Sequence, residues 1–345
     1  MSNEEKPMQL RLELQLNPVA DEVSAITAVV RPILKSVLYA LKSDVVEEMG
    51  GFENVKVKML PRLYRPGDRD CGLCFEYAVH DAMNRHEPSV LERLSDAMRN
   101  HCNVPGTTTA SILFGAEKAG ALNLINTAKE RLTEDSRLLA GVRGQPAKLK
   151  RHIDSLAAAF RRKDVRDALP WSISGTWKAD LFVGYTDSDR WVATTVKINP
   201  DHLEGARGLR IGIVPAREAK SDLVRRDDSR NLIICPLPHD GAFMEVFYQG
   251  WVVVQQFIKA DAHLPKEVYL PRQAERQVAR YLEDRREFPV LDVVDALHPL
   301  SQPGLLETQE QSAELVSRRE KAVTIGTGAV VAPIAREKNE SAVAG

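Results

Sequence analysis

The chain has 345 residues, of which 43% are hydrophobic and 28% are charged, and its formal net charge at pH 7 is -1. This composition is typical of a globular protein with a sizeable core, and it excludes a protein that binds nucleic acid through an overall positive charge. Any contact with phosphate must come from a local cluster of Lys and Arg. Four cysteines in so long a chain do not form a disulfide framework, so reduced thiols and a cytoplasmic location are expected.

The first part of the chain is predicted to contain two strands and two helices. Apolar and polar residues alternate from Met8 to Leu16 and again from Val55 to Leu60, which predicts strands. Helical spacing predicts a helix from Ala20 to Met49, with a kink or break at Pro32. A second helix is expected from Leu73 to Arg85. Residues 1–70 are therefore expected to form an α/β segment that packs on the core.

The middle of the chain changes from helical to strand-like periodicity. The segment from Pro88 to about Phe160 is predicted to be mostly helical. After Pro170 the period shortens, with turn residues between the apolar runs. The four strands expected there are Lys178–Val183, Trp191–Ile198, Leu209–Val214 and Asn231–Cys235.

The last part of the chain is predicted to contain two helices and a tail. An apolar stretch from Phe243 to Ala260 suits a buried helix, and Arg272 to Arg286 suits a charged one. The residues from 300 to 345 are polar or small and are expected to be disordered. The pattern as a whole predicts an α/β (α+β) fold, in which a small mixed sheet is flanked by helices. No apolar stretch is long enough to span a bilayer, so no membrane partner is expected.

A carboxylate on the apolar face of a predicted helix is the first signal of function. On a helix over residues 73–85, Glu76 shares a face with Gly72, Val79 and Met83. A carboxylate in that position is costly unless it is paired or binds a metal. Taken alone, Glu76 is explained more simply as an acidic residue favoured by the dipole at the helix N-terminus.

Two charged residues in predicted strands are the second and third signals. Asp180 opens an apolar strand, although Asp is depleted in strands, and a turn residue explains it equally well. Lys197 interrupts a β-branched run on the face of Thr195 and Ala193, where a lysine that extends into solvent is common. Their order is more specific than either residue. Antiparallel neighbouring strands would bring Asp180 and Lys197 to the same end of the sheet, where Glu76 could meet them.

This order of residues resembles that of the PD-(D/E)xK, or restriction-endonuclease-like, nucleases. Members of that superfamily share a helix-strand-strand-strand-helix-strand core. They carry a Glu on the first helix, an acidic residue on the second strand and a (D/E)xK element on the third. The matching positions here are Glu76, Asp180 and Thr195-Val196-Lys197.

The resemblance covers mainly Gly72 to Arg85 and Trp171 to Pro238. It implies a restriction-endonuclease-like domain over residues 71–295, with a helical insertion at about 88–165. It also implies a hydrolase that depends on Mg²⁺ or Mn²⁺ and cuts phosphodiester bonds of DNA, as an endonuclease or deoxyribonuclease. Such proteins are often parts of bacterial restriction or phage-defence systems.

The same resemblance assigns roles to the residues of the motif. Glu76, Asp180 and the carbonyl of Val196 would bind the metal ion. Lys197 would orient the attacking water or offset the charge that develops on the phosphate.

The chain departs from the family pattern at Thr195, where the motif has an acidic residue. Threonine is a poor substitute for a carboxylate as a ligand of Mg²⁺. Three interpretations follow: the site binds one ion with fewer ligands, Glu204 supplies the missing carboxylate, or the site is degenerate. In the last case the protein is a non-catalytic subunit that binds nucleic acid or a partner protein.

Basic residues that would contact phosphate lie on both sides of the predicted strands. Lys178 is two residues before Asp180 and is expected on the same strand face. Acidic residues such as Asp154 and Asp164 are interleaved with the others, so a solvated helix face is an equally good interpretation. DNA is the expected partner, and a protein partner or a homo-oligomer is left open. The candidate contacts are Lys148, Lys150, Arg151, Arg161, Arg162, Lys163, Lys178 and Arg207.

Overall fold

The computed structural model describes residues 18–64, 70–115, 122–140, 146–205, 207–217, 222–239, 242–264 and 270–301. The strand predicted from Met8 to Leu16 lies outside these residues. The tail predicted from residue 300 also lies outside them, apart from its first two residues.

Helices make up most of the regular structure in the described residues. They are α1 (Pro18–Tyr39), α2 (Ser43–Glu48), α3 (Leu60–Leu63), α4 (Asp70–Asn84), α5 (Pro88–Asp96), α6 (Leu122–Arg131), α7 (Ile153–Ala158), α8 (Lys163–Asp167), α9 (Ala242–Lys259), α10 (Gln273–Asp284) and α11 (Val290–Ala296). Pro32 lies inside α1 without ending it, and a π-helical turn at Ala97–His101 continues α5. Within the described ranges, no helix has both the length and the apolarity needed to cross a membrane.

A mixed sheet forms the centre of the fold. Its strands are β1 (Thr109–Leu113), β2 (Arg137–Leu139), β3 (Ala147–Lys148), β4 (Leu181–Tyr185), β5 (Arg190–Val196), β6 (Arg210–Pro215), β7 (Arg225–Asp227) and β8 (Leu232–Leu237). The order across the sheet is β1-β4-β5-β6-β8-β7, and β2 pairs with both β3 and β5. The β1–β4, β4–β5 and β7–β8 pairs are antiparallel, whereas β5, β6 and β8 run parallel. The predicted mixed α/β fold is confirmed.

The two faces of the sheet contribute to two large hydrophobic cores, and a third, smaller cluster lies around Leu203. Residues Leu181, Val183 and Tyr185 of β4 face the main core, which is built largely from α1, α4, α9, α10 and α11. Phe182 points the other way, into a smaller core beneath α6 and α7. This alternation is expected for a strand that is covered on both sides. Helix α1 lies in the main core. Ile26 and several other apolar side chains of this helix are fully buried there.

The prediction of a strand from Val55 to Leu60 is wrong. Residues Val57–Met59 form a 3₁₀ turn, and α3 begins at Leu60. Apolar and polar residues alternate here because Val55 and Val57 are buried. The backbone N–H of Val57 donates to the carbonyl of Phe288 at 3.0 Å. The segment therefore pairs only briefly with the chain before α11 and is too short to form a ladder.

The segment from 88 to 165 is less helical than predicted, because β1, β2 and β3 lie within it. Of these, β1 pairs with β4 over five residues and so forms part of the central sheet. The prediction for Lys178 is also wrong, since this residue ends a 3₁₀ turn over Thr176–Lys178 and β4 begins only at Leu181.

Candidate active site

The β4–β5 pair places Asp180 and Lys197 at the same end of the sheet. Leu181 lies opposite Thr194 in the antiparallel register, so Asp180 immediately precedes β4 where Lys197 immediately follows β5. The backbone N–H of Asp180 donates to the carbonyl of Thr194 at 2.9 Å. The N–H of Lys197 donates to the carbonyl of Ile213 at 2.9 Å, so both backbones are fixed by neighbouring strands.

The end of β1 holds Asp180 from its other side. The Asp180 carbonyl accepts hydrogen bonds from the N–H groups of Phe114 at 2.9 Å and Gly115 at 2.7 Å. A Cβ atom on Gly115 would lie 2.6 Å from the Cα atom of Asp180, which is closer than side chains and backbone approach one another. A larger residue at this position would force the two backbones apart, which favours glycine.

The Asp180 carboxylate is completely buried and closely held. Its Oδ2 atom accepts hydrogen bonds from Thr195 Oγ1 at 2.8 Å, from the backbone N–H of Val196 at 2.9 Å and from Lys197 Nζ at 2.9 Å. A buried carboxylate needs such donors, since burial without them is costly. The Thr195 hydroxyl thus donates to the neighbouring acid from the position that resembles the acidic position of the PD-(D/E)xK motif.

Glu76 reaches the same lysine from α4. Its neighbours Phe75 and Tyr77 are buried in the main core, and its own side chain is only 12% exposed. Lys197 Nζ lies 3.7 Å from Glu76 Oε1, so the ammonium is shared between the two carboxylates. Burial alone would lower the pKa of Lys197, but attraction to Asp180 and Glu76 outweighs it and raises that pKa above its ordinary value. The structure thus brings together the three residues singled out in the sequence.

Arg210 at the start of β6 adds a second buried cation near this cluster. It is 3% exposed, and its guanidinium donates to the carbonyl of Gly175. Burial lowers the pKa of Arg210, while the nearby charges of Asp180 and Glu204 oppose that effect. Its Nε atom is buried and has no hydrogen-bond partner among the described residues.

Glu204, the alternative acidic ligand named above, pairs with a different residue. Its Oε2 atom lies 2.7 Å from Lys178 Nζ, and both side chains are exposed. The hydrogen bond from Lys178 lowers the pKa of Glu204. The third carboxylate of the family pattern is therefore not supplied by Glu204 in this arrangement.

The donor chemistry of Glu76 and Asp180 fits a magnesium ion. In the part of the chain that the structure describes, no group of three or more His, Cys, Asp or Glu side chains is placed to hold a metal. Mg²⁺, however, is usually bound through one or two carboxylates together with water and substrate phosphates. Glu76 and Asp180 supply two hard oxygen ligands around the ammonium of Lys197, so an ion bound by both would take the place that this ammonium now fills. Val196, the third predicted ligand, contacts Asp180 through its N–H group.

The predicted phosphate contacts divide into three groups. Lys150 lies 3.3 Å from Glu134, and Arg162 lies 2.5 Å from Asp164, so these two are neutralised locally. Lys178 and Arg207 instead line a cavity beside the candidate site. The remaining candidates have exposed or partly exposed side chains: Lys148, Arg151, Arg161 and Lys163.

The tryptophans of this cavity, Trp171 and Trp177, were missed in the sequence. Both lie in the short polar segment after Pro170, and Trp171 is 59% exposed. For Trp171, the available signal is a tryptophan followed by Ser and Gly residues outside a predicted helix or strand, which indicates an exposed ring. Trp177 carries no such signal, since it packs against the smaller core.

No protein-family model, no curated protein and no solved structure matches the chain. What the protein does must therefore be inferred from its own residues.

Proposed function

We propose that the protein is a nuclease that uses Mg²⁺ or Mn²⁺ to hydrolyse phosphodiester bonds of DNA, of the kind that serves bacterial restriction or phage defence. One observation carries the proposal. Lys197 Nζ lies 2.9 Å from a carboxylate oxygen of Asp180 and 3.7 Å from one of Glu76. A helix glutamate, an aspartate before one strand and a lysine after the next are the set that resembles the PD-(D/E)xK nucleases.

The oxygen atoms of the cluster support a site for a cation. Glu76 and Asp180 share the one ammonium of Lys197, and the guanidinium of Arg210 lies near enough for its charge to act on Asp180. Carboxylate oxygens are ligands that Mg²⁺ prefers, so an ion that displaces the ammonium would meet hard oxygen ligands. The side chain of Lys197 is 31% exposed, so the cluster can be reached from solvent.

Each residue then has a distinct task. Glu76 and Asp180 would hold the ion, and the Val196 carbonyl is the further ligand that the resemblance implies. A bound Mg²⁺ supplies polarisation of the scissile phosphate and lowers the pKa of a bound water. Lys197 would donate a hydrogen bond to that water or offset charge on the phosphate. Thr195 fixes the orientation of the Asp180 carboxylate through its hydroxyl.

The cysteines are compatible with work inside the cell. The four of them form no disulfide bond, and Cys74 and Cys235 are buried. Burial raises the pKa of Cys235 to about 12, so it stays a thiol at neutral pH. We place the protein in the cytoplasm, where thiols remain reduced.

Cleavage assays on purified protein test the proposal. Plasmid, linear duplex, single-stranded DNA and RNA are each incubated with Mg²⁺, Mn²⁺ or EDTA. Asp180→Ala and Lys197→Ala should abolish or strongly reduce cleavage while DNA binding persists, because affinity comes from dispersed phosphate contacts. Lys58→Ala is the control, since Lys58 forms an exposed ion pair with Glu287 at a surface site. An inactive wild type with every ion and substrate would contradict the proposal.

A non-catalytic subunit with a degenerate nuclease fold is the second candidate. It is favoured by the three hydrogen bonds that Asp180 Oδ2 already accepts, with Thr195 in the place of an acid. Such a network is stable without any metal. This candidate predicts that nucleic acid binds but is not cut, and that Mg²⁺ leaves the melting temperature of the wild type unchanged.

A further inference from the structure

A cavity of about 550 Å³ opens beside the candidate active site. Its volume is in the range of pockets that hold one small molecule or one nucleotide. It adjoins the candidate site through Lys178, two residues before Asp180, and through Arg210, whose charge acts on Asp180. The side chains that give the cavity its character are Arg166, Trp171, Trp177, Lys178, Arg207 and Arg210.

The two tryptophans of the cavity are placed differently. The guanidinium of Arg166 lies 5.0 Å from the ring centre of Trp177, the ammonium of Lys178 lies 5.6 Å from it, and the ring of Phe160 meets it edge-on. Trp177 therefore anchors cations at the wall of the cavity. Trp171 is 59% exposed and presents its ring to solvent, which is unusual for a large apolar side chain.

The cations of the cavity call for an anion. Four cationic residues line it, against one acidic residue, Asp167. Lys178 is balanced by Glu204, but Arg207 is exposed on the rim. Arg210 is almost fully buried, and its Nε atom has no partner among the residues described. Arg210 lines this cavity, and a phosphate placed there would offset the charge of its guanidinium.

We propose that this cavity binds one unpaired nucleotide of a DNA strand next to the bond that is cut, with its base stacked on Trp171 and its phosphate held by Arg207 and Arg210. The proposal rests on the proposed nuclease function and specifies its substrate as single-stranded or locally opened DNA. Stacking on an aromatic ring needs a free base face, which a base inside a duplex does not offer. An aromatic ring beside clustered arginines is the combination that single strands require.

Binding in EDTA tests the cavity separately from cleavage. The anisotropy of a labelled 12-nucleotide single strand, and of the duplex of the same sequence, is measured with wild type and variants. We expect Trp171→Ala to weaken single-strand binding on the order of 10-fold or more, and Trp171→Phe to retain most of the affinity. Phe288→Ala is the matched control, since Phe288 is 55% exposed and does not line the cavity. Arg207→Gln should weaken binding and reduce its salt dependence.

The outcomes separate the two proposals. If Trp171→Ala binds the single strand as tightly as wild type does, or if wild type prefers the duplex, the cavity does not hold an unpaired nucleotide. If Trp171→Ala loses affinity while wild type cuts no DNA under any condition, the nucleotide-binding cavity is supported and the proposed nuclease function is contradicted.

Discussion

Replacing Lys197 by methionine should destabilise the protein, because it removes the cation that two carboxylates share. Asp180 is fully buried, so water cannot solvate its carboxylate in place of the ammonium. The side chain of Glu76 is only 12% exposed, so water solvates that carboxylate poorly. Methionine keeps most of the length and apolar contact of the lysine stem. The change therefore tests the charge rather than the packing.

The size of the loss follows from the burial of the cluster. Breaking a buried ion pair by removing one partner costs about 3–5 kcal/mol. Two features favour the lower end of this range. The side chain of Lys197 is 31% exposed, and Asp180 keeps its hydrogen bonds from Thr195 and Val196. We expect the free energy of unfolding at pH 7 to fall by about 3 kcal/mol.

The pH dependence of this difference has a definite sign. The pKa of Lys197 is raised above its ordinary value of 10.5, so its stabilising effect is complete below pH 10.5. That effect is lost as the pH rises through the higher pKa of the folded protein. Wild type and Lys197→Met should therefore differ fully at pH 7 to 9 and converge only in more alkaline solution.

Urea denaturation followed by circular dichroism measures the loss, provided that the two proteins have equal m-values. Lys58→Met is the matched control, because Lys58 lies 2.5 Å from Glu287 and the two side chains are 44% and 55% exposed. An exposed pair of this kind is worth less than about 1 kcal/mol. If Lys197→Met costs no more than Lys58→Met, the two carboxylates do not depend on the lysine and the electrostatic account of the site is refuted.

Three further perturbations have defined outcomes. Gly115→Ala should lower stability by about 1–3 kcal/mol in thermal melts, because its Cβ atom would overlap Asp180. Gly72→Ala is the control, since a Cβ atom there has open space and the change should be neutral or slightly stabilising. Equal melting temperatures of the two variants would contradict the close approach at Gly115. Burial lowers the pKa of His80 to about 3, so this residue makes wild type less stable as the pH falls from 6.5 towards 3, by at most about 1.4 kcal/mol per pH unit. His80→Asn should remove that part of the slope in urea titrations at pH 4, 5 and 7, and an unchanged slope would exclude His80 as its source. Thr195→Glu should melt lower than wild type in EDTA and regain stability with Mg²⁺, and a melting temperature that ignores Mg²⁺ would count against a metal site.

The long amphipathic helices could be predicted from the sequence because their period extends over several turns. Helix α4 spans Asp70–Asn84 against a prediction of 73–85, and α9 spans Ala242–Lys259 against 243–260. Strand β1 was missed because its partner is β4, about 70 residues further along the chain. A five-residue strand carries too little local signal to reveal a pairing that distant.

The meeting of Asp180 and Lys197 could be predicted because it depends on one local connection. Asp187, Ser188 and Asp189 are turn residues between the two apolar runs, and Asp189 has the positive φ of 51° that such turns favour. A hairpin closed there fixes the register of β4 against β5. The close approach of Gly115 to Asp180 and the buried charge of Arg210 could not be predicted from the sequence. Each depends on distances between segments that lie far apart in the chain.

The threonine at position 195 has a consequence for the order in which ligands bind. Its hydroxyl and the Lys197 ammonium donate to the same oxygen of Asp180, so the cluster is stable without a metal, and Lys197 competes with any ion for that carboxylate. An acidic residue at this position would instead repel Asp180 and demand a cation. The protein should therefore bind Mg²⁺ weakly by itself and more tightly once DNA supplies phosphate oxygens as further ligands. Because such coupling is reciprocal, Mg²⁺ should strengthen DNA binding by the same factor, and this factor should vanish in Asp180→Ala.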